Sequence, residues 1–279
     1  MNRHRKNFSE MVDAAVNVPG NEGLRPVIEK ELLHYEIISA LDKGGFLSDL
    51  VFQGGTCLRL CYGARRLSED LDFVGGPDFD AALVLGMGEC VRDHITEKYG
   101  LTADIKEPKL NREDPAYAGL NVDRWQISIV TSPEQRHLPK QRIKLEVINI
   151  PAMTSELMAL RRNYDQVSWG VQNTLIRCES LREIMADKIV SFVNCREYTR
   201  YRDVWDLMWL KNRGASPDIE MISAKIGHYD ADNYEENLVT RLREVDGIIA
   251  GNDFRDTMRR FLSAEDSGKY LGNPAFTSH

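Results

Sequence analysis

A short apolar run that ends in a glycine pair, followed one helix-length later by two aspartates on alternate positions, constrains this chain more than any other feature. Leu50-Val51-Phe52 leads into Gln53-Gly54-Gly55-Thr56, and Ser68-Glu69-Asp70-Leu71-Asp72-Phe73 comes next. Side chains alternate across a strand, so Asp70 and Asp72 face one way while Leu71 and Phe73 face the buried side. Two carboxylates held side by side repel each other strongly unless a cation lies between them. Magnesium suits such a pair, because it takes one or two carboxylates plus phosphate oxygens and leaves the rest to water. Glycines let a backbone approach a phosphate closely, and Thr56 is expected to open a helix over Cys57 to Tyr62 whose first N–H groups favour an anion. A tight turn followed by a solvated acidic strand end is the bland alternative, and either half of the pattern alone carries little. In this order and spacing the two halves point to a site for a metal-bound nucleoside triphosphate. Gly54, Gly55 and Thr56 then cradle phosphates with Ser68, Arg66 flanks them, and Asp70 and Asp72 hold the metal.

The run Phe52 to Leu60, then Tyr62-Gly63, then Arg66 to Phe73, resembles the AbiEii toxin family of nucleotidyltransferases. That family lies within the polymerase β-like superfamily, marked by a G-G or G-S pair followed by D-x-D or D-x-E. A second block, Leu181 to Val190 followed by Arg202-Asp203-Val204-Trp205-Asp206-Leu207, resembles its downstream pattern of a helical lysine and then R-D-x-x-D-L. Ser180 and Glu183 are spaced as a capping box, so the first of these helices is expected to start near residue 181. Asp203 and Asp206 share a helix face, with Arg202 adjacent and Thr199 one turn earlier. Taken alone these charges read equally as a solvated face or a surface ion pair.

The resemblance implies catalytic roles for Lys188, Asp203 and Asp206, without deciding which aspartate is essential. It also implies a third metal carboxylate on a neighbouring strand. Glu146 is the best candidate, because Ile143, Leu145 and Val147 alternate with Arg142, Lys144 and Glu146, although a half-exposed Lys-Glu edge strand reads the same way. Asp104 is a weaker competitor. The implied activity is transfer of a nucleoside monophosphate from an NTP to an acceptor hydroxyl, with two Mg2+ ions and pyrophosphate as leaving group. The implied setting is the toxin of a type IV toxin–antitoxin and abortive-infection system, with RNA, at the 3′ end of tRNA, as acceptor. A cognate antitoxin in the same operon is a genomic partner that need not touch this chain. Transfer to a small molecule such as an aminoglycoside, and a noncatalytic nucleotide-binding module, are the alternatives.

Composition sets outer limits. The 279 residues, 42% hydrophobic and 28% charged, suit a soluble globule able to bury a substantial core. No apolar run approaches the ~18 residues of a membrane span. Met1 to Lys6 is basic but runs into Asn7-Phe8-Ser9-Glu10 rather than an apolar core, so a cytoplasmic protein is expected. The five cysteines contain no C-x-x-C pair, and Cys57 and Cys61 read as packing thiols rather than zinc ligands. A net charge of −7 argues against nonspecific nucleic-acid coating and against a DNA-binding protein. Local basic clusters remain at Arg65-Arg66, Arg136 to Lys144, Arg161-Arg162 and Arg196 to Arg202. Arg59, Arg65 and Arg66 flank the phosphate site and Arg196 to Arg202 follow Lys188, so these are expected to converge on one cleft, with scattered solvated arginines as the alternative.

The pattern predicts an α+β chain: a nucleotidyltransferase core over 1–150 with N-terminal helices and a small mixed sheet, then a helical region over 151–279 that completes the cleft. Helices are expected at 27–41, 80–99, 154–160, 181–195, 199–213, 218–226, 231–247 and 252–263. Extended segments are expected at 50–53, 70–74, 101–107, 121–131 and 142–150, and residues from Ser267 onward are expected to be loosely held.

Overall fold

A computed structural model describes residues 7–108, 120–134, 139–165, 167 and 174–273. The chain opens with α1 (Phe8–Val16), absent from the sequence reading, and α2 (Arg25–Lys43), which carries a proline in its first turn. Then come β1 (Val51–Gln53), α3 (Gly54–Leu60) and β2 (Leu71–Val74), the unit that holds both parts of the glycine–aspartate pattern. The helix expected over 80–99 is two pieces, a 3-10 turn (Ala81–Val84) and α4 (Met87–Tyr99), parted at Gly86 with its left-handed φ of 85°. Strands β3 (Thr102–Lys106), β4 (Val122–Val130) and β5 (Gln141–Ile148) follow as expected.

Residues 154–160 are not helical. Glu, Leu, Met and Ala favour a helix locally, yet Glu156–Ala159 forms β6, an edge strand paired antiparallel with β7 (Leu175–Cys178). Pairing to a sheet already in place overrides the local preference, as is common for short segments. The helical region therefore begins at α5 (Leu181–Asn194). It continues through α6 (Tyr201–Asn212), α7 (Ile219–His228), α8 (Tyr234–Ala250), α9 (Asn252–Arg259) and α10 (Ala264–Tyr270). Thr199 thus sits in the loop before α6 rather than on its first turn, and part of the segment expected to be loose is helix α10. No described helix is long and apolar enough to cross a membrane.

Among the described residues seven strands form one mixed sheet in the order β3-β4-β5-β2-β1-β7-β6. β2 pairs parallel with β5 and antiparallel with β1, which puts Asp72 level with Glu146 on one side and with Gln53 on the other. Alternate residues Leu71, Phe73, Ile143, Leu145 and Val147 enter the main core with the apolar side of α2 and with Val91 and Ile95 of α4. Ile184 and Met185 of α5 and Trp209 and Leu210 of α6 belong to that same core, so the helices are seated on the sheet. Asp104, on β3, is separated from β2 by both β4 and β5 and is paired with Lys140, so it does not join the aspartates.

α2 is buried along nearly its whole length, including Glu31, His34 and Glu36. Buried charges need partners. Glu31 takes Arg59 at 2.9 Å, and Glu36 takes His94, Lys98 and the Tyr99 hydroxyl. His34 Nε2 lies 3.0 Å from the Glu69 carbonyl oxygen, and burial pushes its imidazole from 6.5 down to about 4. A base whose folded pKa is depressed stabilises the fold above its unfolded pKa and loses that contribution as pH falls towards the folded value. Lowering the pH from 7 to 4.5 should therefore cost about 2 kcal/mol through this residue alone. Urea midpoints at the two pH values, compared between wild type and His34→Gln, measure it; an equal acid loss in the variant would assign the loss to the carboxylates instead.

Candidate active site

Gly54 adopts a left-handed φ of +76°, and a Cβ there would lie 2.6 Å from Asp72 Oδ2. At Gly55 a Cβ would lie 2.3 Å from Arg66 Nη2 and 3.0 Å from Ser68 Oγ. Both glycines are thus required by the site's own side chains, which pack directly against the β1–α3 turn. The Thr56 hydroxyl donates to the Asp70 carbonyl, tying α3 to the entrance of β2. That hydroxyl is engaged, so Thr56 meets a ligand, if at all, through its backbone.

Asp70, Asp72 and Glu146 line one cleft of about 460 Å³ with Gly55, Arg66, Ser68, Lys188 and Asp203. Arg124, Lys144, Arg200 and Arg202 form its basic rim. Burial, then the charges of Asp70 and Glu146, push the Asp72 carboxyl up to about 7 against the pull of Lys188 and Arg202. Hard oxygen donors in register on adjacent strands, with repulsion that a cation relieves, fit a magnesium site. Glu146 also pairs with Arg124 Nε, opposite it on β4, an exposed contact that leaves the carboxylate at the cleft.

Lys188 projects from α5 with its Nζ 2.6 Å from Asp203 Oδ1 and 3.2 Å from Asp206 Oδ2, both on α6. Arg66 grips Asp206 with two bonds, Nε to Oδ1 at 2.8 Å and Nη2 to Oδ2 at 2.6 Å, at a site almost closed to water. Arg200 closes the network on Asp203. Burial alone would raise the Asp203 carboxyl, but Lys188 and Arg200 overcome it and hold the group at about 2. Lys188 is raised: burial opposes its charge, and the two aspartates outweigh that. Asp203 and Asp206 therefore anchor the cations, and of the two only Asp203 lines the cleft. Arg66, expected beside the phosphates, is committed to Asp206.

A smaller hollow of about 180 Å³ adjoins Asp72 and Glu146 on the other side, bordered by Gln53, Asp187, Lys188 and Tyr229. Behind it lies a second buried cluster that sequence reasoning missed. Lys225 Nζ, fully enclosed on α7, sits 2.7 Å from Glu183, 3.0 Å from Asp187 and 3.3 Å from Glu179. Ser180 Oγ caps Glu183 N as expected, but the Glu183 side chain does not return to close the box. It accepts instead from Met153 N and from Thr154 N and Oγ1. The i, i+4 spacing of Glu179, Glu183 and Asp187 was the available signal. Cys57 and Cys61 pack in the main core, joined by Cys178 with Sγ 3.4 Å from that of Cys61.

The basic clusters divide. Lys144, Arg200 and Arg202 reach the acidic cleft, whereas Arg65, Arg161 and Arg162 line a separate groove, and Arg136 lies outside the described residues.

Residues 36–277 match the model of a family described as nucleotidyl transferase AbiEii toxin, type IV TA system. Among solved structures, the chain is similar to MenT4, a nucleotidyltransferase toxin from Mycobacterium tuberculosis H37Rv, at 19% identity and a TM-score of 0.57, over 78% of this chain and 68% of that one. It is also similar to JHP933 from Helicobacter pylori at 21% identity and a TM-score of 0.48, over 90% of each chain. The likeness to MenT4 is one of fold. No curated protein matches.

Proposed function

Since the chain belongs to the AbiEii family of nucleotidyltransferase toxins of type IV toxin–antitoxin systems, we propose that it moves a nucleoside monophosphate from an NTP onto a hydroxyl of RNA, at the 3′ end of a tRNA. One observation carries this reading: Asp72 and Glu146 stand level on adjacent parallel strands, share a cleft with Asp70, and face Gly54, Gly55 and Lys188.

Asp70, Asp72 and Glu146 would hold two magnesium ions, which supply charge neutralisation for the triphosphate and a more acidic attacking hydroxyl. The protein's own part is placement. Lys188, fixed by Asp203 and Asp206, offers a cation to the phosphates from the helical side of the cleft, and Ser68 and the Gly55 backbone approach from the other. Lys144 and Arg202 on the rim meet further phosphate charge. Asp203, Asp206 and Arg66 act as positioning residues, because their charges are already matched to one another. The acceptor hydroxyl gives up its proton to solvent as its oxygen bonds the α-phosphorus and the bond to the α,β-bridging oxygen breaks, so pyrophosphate leaves. Arg124, Arg200 and Arg202 on the rim are paired with Glu146, Asp203 and Glu69, so the choice of RNA over an aminoglycoside rests on the family's toxin role rather than on the charge of the rim. A cytoplasmic toxin with a cognate antitoxin encoded beside it completes the reading.

The test is incubation of the purified chain with each labelled NTP, magnesium and total tRNA. Label should appear on RNA, and Lys188→Met should reduce the rate about 10²-fold or more, the scale expected for losing one preorganised charge donor. Label on no RNA with any of the four nucleotides, or equal labelling by Lys188→Met, would defeat the proposal.

A further inference from the structure

A groove of about 770 Å³, separate from the acidic cleft, is lined by Arg59, Arg65, Arg161, Arg162 and Arg213 together with the acidic Glu265 and Asp266. Such crowding of cations runs against a net charge of −7. Arg59 is committed to Glu31, which leaves Arg65, Arg161, Arg162 and Arg213 as the exposed set. Two of these are held in place. Arg161 donates its backbone N–H to Leu60 O at 2.7 Å and accepts from the Tyr35 hydroxyl at 2.6 Å. Its side chain lies across Gly63, where a Cβ would come within 2.9 Å of Nε. The guanidinium of Arg213 stacks over Trp209 at 5.7 Å.

The position of the groove gives it meaning. α3 begins at the acidic cleft with Gly55 and ends at the groove with Arg59, Tyr62 and Gly63 just beyond. α6 does the same, with Arg202 and Asp203 at the cleft and Trp209 and Asn212 at the groove. At a helical rise of about 1.5 Å per residue the two sites lie ~10 Å apart, a distance that one nucleic-acid strand covers in a few nucleotides. We propose that this groove binds the phosphate backbone of the RNA acceptor upstream of its 3′ end, so that the end itself reaches Asp70 and Asp72; this rests on RNA being the acceptor. Arginines paired with phosphates fix register without reading sequence, so the groove sets how far the 3′ end extends rather than which bases it carries.

The experiment uses the whole chain in two ways. In the first, total tRNA binding is followed against salt concentration for wild type, for Arg65→Glu/Arg161→Glu/Arg162→Glu and for the corresponding triple lysine variant. The glutamate variant should bind at least about tenfold more weakly, with a salt slope smaller by about 2 to 3, while the lysine variant keeps both. Transfer onto a dinucleotide acceptor, which spans less than the ~10 Å to the groove, should keep its kcat, and the KM for tRNA should rise. Unchanged affinity and slope in the glutamate variant would overturn the proposal. In the second, wild-type protein is photo-crosslinked to tRNA carrying 4-thiouridine a few nucleotides from the 3′ end, which removes any dependence on how a variant folds. Crosslinks should map to residues 59–65, 161–164 or 209–213, and crosslinks confined to other segments would overturn the proposal. RNA that binds through these arginines but is never labelled sinks the proposed activity and leaves the groove standing; RNA that is labelled with the arginines indifferent does the reverse.

Discussion

Asp72→Asn should abolish nucleotide transfer and, in the absence of divalent ions, make the protein more stable. Burial and the neighbouring charges of Asp70 and Glu146 hold the Asp72 carboxyl at about 7, above its ordinary 3.8. For an acid raised in this way the folded state retains the proton better than the unfolded state does. The ionised form therefore costs stability, and the cost grows as pH rises from 3.8 through 7. By linkage the limit at pH 8 is about 4 kcal/mol, and the observed gain from an uncharged amide of the same shape should be smaller because the cleft is open to water. The asparagine cannot complete an anionic site, so transfer should fall by about 10³-fold or more. Melting temperatures at pH 8 with and without magnesium separate the two effects. Magnesium should raise the wild-type value and leave the variant nearly unmoved. A variant that is less stable than wild type without metal would mean that Asp72 is a structural carboxylate, and the case for the site would go with it. Stability gained where activity is lost is the mark of a group kept for function.

What could be read in the sequence was whatever depends on neighbours along the chain. Gly54, Gly55 and the Asp70–Asp72 alternation are local patterns, and a strand–helix–strand unit forms there, although its helix takes in both glycines (Gly54–Leu60) instead of opening at Thr56 and β2 begins at Leu71, one residue after Asp70. Alternation put Glu146 on the polar face opposite Ile143, Leu145 and Val147, but it read equally as a half-exposed edge strand, and only the resemblance singled it out as a third carboxylate. Its place beside Asp72 could not be read from alternation, because strand order is decided by the whole sheet. The same limit hid the reason for the glycines. Gly55 must lack a side chain because Arg66 passes beneath it, and Arg66 lies there because Asp206, 140 residues away, draws it in. Short segments failed in the same way. Glu156–Ala159 has a helix-former's composition and became a strand because β7 offered an unpaired edge. The basic clusters were each visible, but their division between two surfaces needed α3 and α6 in place.

Lys225→Met should be among the most destabilising single changes available, at about 3–5 kcal/mol, the range for removing one partner from a buried ionic cluster. Glu179→Gln, at the same cluster, should cost less than about 1 kcal/mol. The asymmetry follows from charge. Three carboxylates surround one ammonium, all enclosed, and a dry site does not hold that much unmatched negative charge. Burial, with Asp187 and Glu183 beside it, pushes Glu179 well above the usual carboxylate range in spite of Lys225. Glu183 goes the other way, because Lys225, the Met153 N–H and Thr154 outweigh its burial. Glu179 Oε2 and Asp187 Oδ2 have no hydrogen-bond partner among the described residues, and a proton kept on Glu179 serves both oxygens. The glutamine supplies the same donor without the charge, whereas methionine leaves the buried carboxylates of Glu183 and Asp187 with no cation beside them. Urea unfolding at pH 7 gives both values. If Glu179→Gln were as costly as Lys225→Met, Glu179 would be ionised in the native protein, and the cluster would carry a charge that the fold could hold only with another cation. Because Asp187 immediately precedes Lys188 on α5 and accepts from Tyr229 at the smaller hollow, the loss in Lys225→Met should extend to catalysis in whatever fraction remains folded. A folded Lys225→Met protein with undiminished transfer would show that α5 holds Lys188 in place without help from the cluster behind it.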